Sequence, residues 1–176
     1  MVVFDASILV FLLDPDASSP LDPVTEKPVD RARDRLDFLI HTLEESKEKI
    51  IIPTPALSEV LIRAGQAGPE YLKELNTQAR FKIVDFDQRA AIEMAATIRS
   101  AIDNGDKREG IKSLWAKLKF DRQIISIAKV EGATSIYSDD DDIKKLAPKS
   151  GIKVIGVCEL PLPPEDLQQN LFDMKN

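Results

Sequence analysis

The chain has 176 residues, 43% of them hydrophobic and 31% charged, and its 30 acidic and 24 basic side chains leave a formal net charge of −6. This composition is typical of a globular domain with a sizeable core, and the net charge by itself argues against an ordinary basic nucleic-acid binder. A single histidine, His41, and a single cysteine, Cys158, exclude an intramolecular disulfide and a zinc site built from several histidines or thiolates. No apolar run approaches the about 20 residues that span a bilayer, and no secretory signal is apparent. We therefore expect a cytoplasmic protein without a membrane segment.

The chain opens with a short apolar run that ends on a carboxylate. Val2–Phe4 predicts a buried strand, Asp5 lies at the carboxyl end of that strand, and Ile8–Leu13 predicts a buried helix. A charged carboxylate between two core elements is costly without a partner. In α/β proteins, ligands bind at the carboxyl ends of strands. We therefore interpret Asp5 as the anchor of a functional site.

Helices and short strands alternate along the rest of the chain. Residues 14–28 hold four prolines and predict a loop, either a flap or an insertion. Thr54 predicts the N-cap of a helix, because Pro55 suits the first helical position. The other predicted elements are a helix over 29–47, a strand over 50–52, a helix over 69–79, a strand over 81–86, a helix capped by Asp87 and ending near 103, helices over 111–117 and 120–130, a strand over 134–138, a short helix ending at 146 and a strand over 152–157.

This order of elements predicts an α/β fold. Strands separated by helices pair mostly in parallel, with helices on both faces, which gives a single-domain three-layer α/β/α sandwich. We assign residues 1–160 to this domain, with the proline-rich insertion at 14–28, and residues 161–176 to a C-terminal tail that predicts a weak helix.

Further carboxylates follow the predicted strands. Glu59 lies in the helix after the second strand and Asp121 near the start of an apolar helix, and each alone is explained as a solvated acid near a helix N-terminus. The run Asp139–Asp142 exceeds what helix capping needs, so a cation site explains it better. Ligands that are all oxygen indicate Mg²⁺ or Mn²⁺. One or two such ions would also neutralise the acids, which otherwise repel a phosphodiester backbone.

Four stretches of the chain, taken together, resemble the PIN domain, a nuclease fold found in toxins of toxin–antitoxin pairs and in RNA-processing proteins. They are Val2–Leu13, Ser58–Glu59, Phe120–Ala128 and Ile136–Ile143. Each motif is weak alone, but their order, spacing and structural contexts make the combination fairly specific. The resemblance covers nearly the whole chain, and the proline-rich loop, the tail and the net negative charge depart from compact members of the family.

The resemblance implies an acidic metal site with supporting hydroxyl groups. Asp139 remains an alternative to Asp140, because four adjacent acids compete for one place. The implied catalytic and metal-binding acids are Asp5, Glu59, Asp121 and Asp140, with Asp142 as an auxiliary metal ligand and Ser7 and Ser138 as supporting residues.

Basic residues around Asp121 and the acidic run are candidates for RNA contacts. They would hold phosphates next to the metal ions and make binding depend on salt. The alternative is that each is an ordinary charge on a helix surface. The candidates are Lys112, Lys117, Lys119, Arg122 and Lys144.

The function that these features predict is a Mg²⁺- or Mn²⁺-dependent endoribonuclease that hydrolyses RNA phosphodiester bonds. The resemblance implies products with 5′-phosphate and 3′-hydroxyl ends, an antitoxin or other regulatory protein as partner, and a homodimer. Helices between residues 55 and 79 offer a face for the dimer. The alternative is a catalytically silent PIN-type module that binds RNA or protein. A phosphotransfer fold fits poorly, because Ala6 and Ser7 follow Asp5 where a phosphatase needs a second aspartate.

Overall fold

Within residues 1–164, the part of the chain that the structure describes, five short strands form one sheet. The structure is a computed structural model. Every neighbouring pair of strands is parallel, which is stricter than the mostly parallel sheet that the sequence predicts. The strands are β1 (Val2–Phe4), β2 (Ile50–Pro53), β3 (Phe81–Val84), β4 (Ser135–Tyr137) and β5 (Lys153–Ile155), in the spatial order β3-β2-β1-β4-β5.

Helices flank this sheet and complete a three-layer α/β/α sandwich, as the sequence predicts. Short 3₁₀ turns cover residues 65–67, 147–150 and 157–159. The α-helices of the described residues are α1 (Ala6–Leu13), α2 (Ala32–Glu45), α3 (Thr54–Ala64), α4 (Gly68–Thr77), α5 (Gln88–Asp103), α6 (Trp115–Val130) and α7 (Asp141–Leu146).

The core lies around the two central strands. All of Val2–Phe4 and of Ile50–Pro53 is buried, and Ile136 in β4 is fully buried beside them. Such continuous apolar runs are the pattern of parallel strands that are covered on both faces. Burial of each large apolar side chain contributes about 1.5–3 kcal/mol, so this core holds the strand ends rigidly in place.

The order of the strands creates a crevice at one edge of the sheet. From β1 the chain passes to β2 on one side, whereas β4 pairs with the other side of β1, with Val3 opposite Ile51 and Ile136. Such a reversal of strand order is the usual ligand-binding position of open α/β sheets. Asp5 follows β1 and the run Asp139–Asp142 follows β4, so the acids lie at this position.

Two local predictions are wrong. The predicted helices over 111–117 and 120–130 are one helix, α6, which begins only at Trp115. It runs through because Leu118 is fully buried in the core, and Asp121 therefore lies in its second turn rather than at its start. Thr54 is inside α3 and makes no cap hydrogen bond. Its hydroxyl oxygen instead accepts a hydrogen bond from the backbone N–H of Phe86, at 3.2 Å.

Outside these elements, the proline-rich segment 14–28 is held by local contacts. Leu21 and Pro28 form an isolated antiparallel bridge, and the hydroxyl of Ser19 donates to the carbonyl of Val29 at 3.0 Å. The predicted helix of the tail falls on residues 165–176, outside the described residues. No helix within residues 1–164 has the length and hydrophobicity needed to cross a membrane.

Candidate metal centre

Asp5 is held at the junction of β1 and β4. Its side chain is 5% exposed, and its backbone N–H donates to the carbonyl of Tyr137 at 3.1 Å, which continues the pairing of the two strands. Its Oδ2 accepts hydrogen bonds from the hydroxyls of Ser7 at 3.1 Å and Ser138 at 2.9 Å. Burial, together with the nearby charge of Asp140, raises the pKa of Asp5 above its usual value, despite these hydrogen bonds.

The same two hydroxyls also fix the acidic run. Ser7 accepts a hydrogen bond from the backbone N–H of Asp139 at 3.1 Å, and Ser138 accepts one from that of Asp140 at 3.0 Å. Each serine therefore links the carboxylate that follows β1 to the backbone that follows β4. This linkage sets the direction in which the run leaves the sheet.

The structure distinguishes the four acids of the run. Asp139 does not belong to the group of acids that includes Asp140 and Asp142, and its Oδ1 accepts a hydrogen bond from the backbone N–H of Val157 at 3.0 Å. Asp140 caps α7 through its Oδ1, which accepts from the N–H groups of Asp142 and Ile143. Asp141 is exposed and Asp142 is buried. The local geometry therefore gives Asp139 a structural contact and directs Asp140 and Asp142 toward α6.

Three carboxylates from two helices and a strand end meet around one ammonium group. Asp121, Asp140 and Asp142 each offer an oxygen, and these three oxygens lie within 4.8 Å of one another. The Nζ of Lys117 lies 3.0 Å from Asp121, 2.8 Å from Asp140 and 2.9 Å from Asp142. The hydroxyl of Ser113 donates a further hydrogen bond to Asp142.

The pKa values of this cluster are shifted in different directions. Burial raises the pKa of Asp121 to about 7, despite the hydrogen bond from Lys117, and the charges of Asp140 and Asp5 add to the rise. At Asp142, burial is outweighed by the hydrogen bonds from Ser113 and Lys117, so its pKa is lowered. At Lys117, burial is outweighed by the hydrogen bonds to the three carboxylates, so the pKa of its ammonium is raised.

Glu59 approaches the same cluster from α3. It is half-buried, and none of the hydrogen bonds or ion pairs found among residues 1–164 involves its carboxylate. Burial raises the pKa of Glu59 most, the charge of Asp5 adds to the rise, and the charge of Asp140 adds a smaller contribution. The charge of Asp140 thus raises the pKa of Asp5, of Glu59 and of Asp121. The four acids therefore lie in one region.

The donor set suits a hard divalent cation. Carboxylate oxygens are the ligands that Mg²⁺, Mn²⁺ and Ca²⁺ prefer, and a single ammonium leaves the three clustered carboxylates under-neutralised. The cluster borders a cleft of about 580 Å³, along whose rim Lys112 and Lys145 also lie. This cleft leaves room for a phosphodiester backbone to approach the acids.

The residues predicted to contact phosphate differ in their exposure. Lys112 and Lys119 are exposed, as that role requires, and Lys144 is half-buried at 3.8 Å from Asp139. Arg122 is only 3% exposed and pairs with Glu109 at 2.6 Å, so its prediction as a surface contact for phosphate is wrong. The ammonium of Lys117 bonds to the three acids, although its side chain also borders the cleft.

Comparison with known proteins agrees with this arrangement. The profile of the PIN domain matches residues 2–149 of the chain. The chain belongs to the PIN domain family. No curated protein matches its sequence.

Two solved structures share the fold of this PIN domain at low sequence identity. One is VapBC2 from Rickettsia felis, bound to a DNA fragment from its promoter: the identity is 14%, the TM-score is 0.59, and the match covers 89% of this chain and 98% of the other. The second is DNA-bound VapBC from Salmonella typhimurium, at 16% identity and a TM-score of 0.55, with the same two coverages.

Two contacts of the site were not predicted from the sequence: those of Lys117 with the three acids, and that of Ser113 with Asp142. Lys117 precedes Asp121 by four residues, and this spacing pairs opposite charges on a helix, so the sequence carried a signal for it. Ser113 lies in the loop before α6, and nothing in its local sequence indicates its bond to Asp142.

Proposed function

We propose that this PIN domain is a Mg²⁺- or Mn²⁺-dependent endoribonuclease. The observation that carries the proposal is the meeting of Asp121, Asp140 and Asp142 in one cluster, with their oxygens within 4.8 Å. Glu59 and Asp5 lie near enough for their charges to interact with it. Asp121, Asp140 and Asp142 would hold one or two divalent ions, with Asp5 and Glu59 completing the set. When bound, such ions activate water and stabilise the charge of the scissile phosphate.

The rest of the chain positions this set. Ser7 and Ser138 keep Asp5 directed into the crevice, while Ser113 does the same for Asp142. Lys112 and Lys145 on the rim of the cleft would bind backbone phosphates. This division explains how an acidic protein handles RNA: the ions neutralise the acids locally, and the rim supplies positive charge.

We further propose that the protein works as the toxin of a toxin–antitoxin pair. Support comes from the two similar structures, both of them VapBC complexes bound to DNA. A second protein that binds this chain and DNA is therefore the partner we expect. Co-expression with the product of an adjacent small reading frame, followed by co-purification of the pair, tests this proposal.

A cleavage assay tests the nuclease proposal. A labelled single-stranded RNA is incubated with the protein in Mn²⁺, in Mg²⁺ and in excess chelator. We compare the wild type with Asp140→Asn, and with Asp141→Asn as the matched control, because Asp141 is the exposed neighbour on the same turn. Asparagine also caps helices well, so Asp140→Asn keeps the fold.

We expect cleavage only with metal, a loss of at least about 100-fold in Asp140→Asn, and near wild-type rates in Asp141→Asn. Cleavage that survives both the chelator and Asp140→Asn would contradict the metal mechanism. Product ends are checked by ligation, for which 5′-phosphate and 3′-hydroxyl termini are required.

One observation favours the alternative of a catalytically silent module that binds RNA or protein. Lys117 already bonds to all three clustered acids, which is how a purely structural ion-pair network looks. Calorimetry with Mn²⁺ separates the two functions, since a silent module with a structural network gives no binding heat that depends on Asp140.

A further inference from the structure

The ammonium of Lys117 lies at the centre of the acid cluster, and all of its N–H donors bond to the acids. An ammonium has three N–H donors, and three carboxylates accept from this one at 2.8–3.0 Å. Asp121 lies one turn further along α6, whereas Asp140 and Asp142 come from the far end of β4 and from α7. The ammonium therefore holds together, by charge, the same oxygens that a divalent ion would need.

The balance of charge at this point favours replacement of the ammonium. Three carboxylates share one positive charge, and Asp5 and Glu59 add negative potential from nearby. A divalent ion carries twice the charge of an ammonium and binds carboxylate oxygens at shorter distances. It would therefore neutralise the cluster better than Lys117 does.

The side chain of Lys117 is placed so that it can move from the carboxylates to solvent. It is 42% exposed, and it borders the cleft through which solvent reaches the cluster. Asp121 and Asp142, by contrast, are buried. A lysine has a flexible four-carbon stem, so the ammonium can leave the carboxylates without any movement of α6.

We propose that Lys117 is an internal competitor for the divalent metal, which holds the three carboxylates together without metal and must be displaced before metal binds. This inference rests on the metal site of the proposed function. Only molecules whose cluster is free of the ammonium bind metal directly, so the apparent dissociation constant is raised by the reciprocal of their fraction. Lys117 would thereby keep the enzyme inactive at low metal concentrations.

Calorimetric titration with Mn²⁺ tests the proposal on the whole chain after chelator treatment. The variants are Lys117→Met, Lys117→Gln as a second uncharged replacement, and Lys119→Met as the control, because Lys119 is exposed on the same helix. The titrations are run at about pH 8, so that protons do not take the place of the lost ammonium on Asp121.

We expect Lys117→Met and Lys117→Gln to bind Mn²⁺ at least about 10-fold more tightly than the wild type, and Lys119→Met to bind as the wild type does. Thermal unfolding gives a readout that needs no activity. Each Lys117 variant should melt at a lower temperature than the wild type in chelator, and should gain more from saturating Mn²⁺ than the wild type gains.

The possible failures are distinguishable. Wild type and variants that bind Mn²⁺ with equal affinity, or variants that bind it more weakly, overturn the role of Lys117 and leave the metal site standing. If no protein binds Mn²⁺, the metal site of the proposed function fails, and this inference fails with it. If Lys117→Met does not fold, Lys117→Gln decides between these outcomes.

Discussion

Two neighbouring residues of α6 show how differently one helix can use buried charge. Asp121 is 5% exposed and Arg122 is 3% exposed. Asp121 faces the cluster, where it shares the single ammonium of Lys117 with Asp140 and Asp142. Arg122 faces the other side, toward α5 and the loop before α6.

The surroundings of Arg122 hold more cations than acids. Its Nη2 donates to Glu109 at 2.6 Å and to the carbonyl of Lys107 at 3.1 Å, and Glu109 also accepts from Lys149 at 3.1 Å. The Nε and Nη1 atoms of Arg122 are buried without a partner among the described residues. Here cations outnumber acids, whereas around Lys117 acids outnumber cations. Burial alone therefore does not distinguish the two charges, whereas the balance of acids and cations around each of them does.

The largest effect that we expect from this comparison concerns stability. Arg122→Met should lower the free energy of unfolding by about 2–3 kcal/mol, because it breaks a buried ion pair. It should leave cleavage per folded molecule unchanged. Urea denaturation of Arg122→Met, beside Lys119→Met as an exposed control, measures the first effect, and the RNA assay measures the second. A variant that stays as stable as the wild type but loses cleavage would show that the Arg122 side also belongs to the site.

The next effect concerns the dependence of metal binding on pH. The pKa of Asp121 is raised to about 7, and metal binds the deprotonated carboxylate. Affinity should therefore be full above this pKa and fall as the pH decreases through it. From about pH 7.5 to about pH 5.5 we expect the dissociation constant for Mn²⁺ to rise about 20-fold.

Calorimetry across this range checks the pH dependence. His41→Gln is the control, because His41 is the single histidine of the chain and lies on α2, where its Nε2 is 3.5 Å from Glu45. The expected profile is the same in His41→Gln as in the wild type. A flat profile in the wild type would mean that Asp121 is not a ligand.

The smallest effect separates the two candidates for one ligand position. Asp139→Asn should change cleavage by no more than about 3-fold, because the carboxylate of Asp139 bonds to the N–H of Val157 instead of facing α6. Its loss should cost about 1 kcal/mol of stability, as for a typical hydrogen bond. Cleavage assays on Asp139→Asn and Asp140→Asn side by side test this difference. Equal losses in both variants would show that the geometry of the run does not decide the ligand.

Local sequence was sufficient for the architecture. The runs Val2–Phe4 and Ile50–Ile52 predict buried parallel strands because only a strand covered on both faces is apolar at every position. The alternation with helices then predicts a parallel sheet between helical layers, and the structure confirms it. Asp5 was also evident, since a carboxylate directly after such a strand has to lie at the edge of the sheet.

Tertiary structure decided which charges face each other. Successive residues of a helix differ in direction by about 100°, so Asp121 and Arg122 point to different faces of α6, and only the packing of α6 shows which face meets the cluster. The choice among Asp139–Asp142 likewise depends on the hydrogen bonds that Ser7 and Ser138 accept from the backbone N–H groups of Asp139 and Asp140. The Ser7–Asp139 bond and the bond from Ser138 to Asp5 join parts of the chain more than 130 residues apart, and sequence periodicity carries no information about them. The position of Lys117 among three acids arises in the same way, because two of its three partners, Asp140 and Asp142, come from the segment after β4.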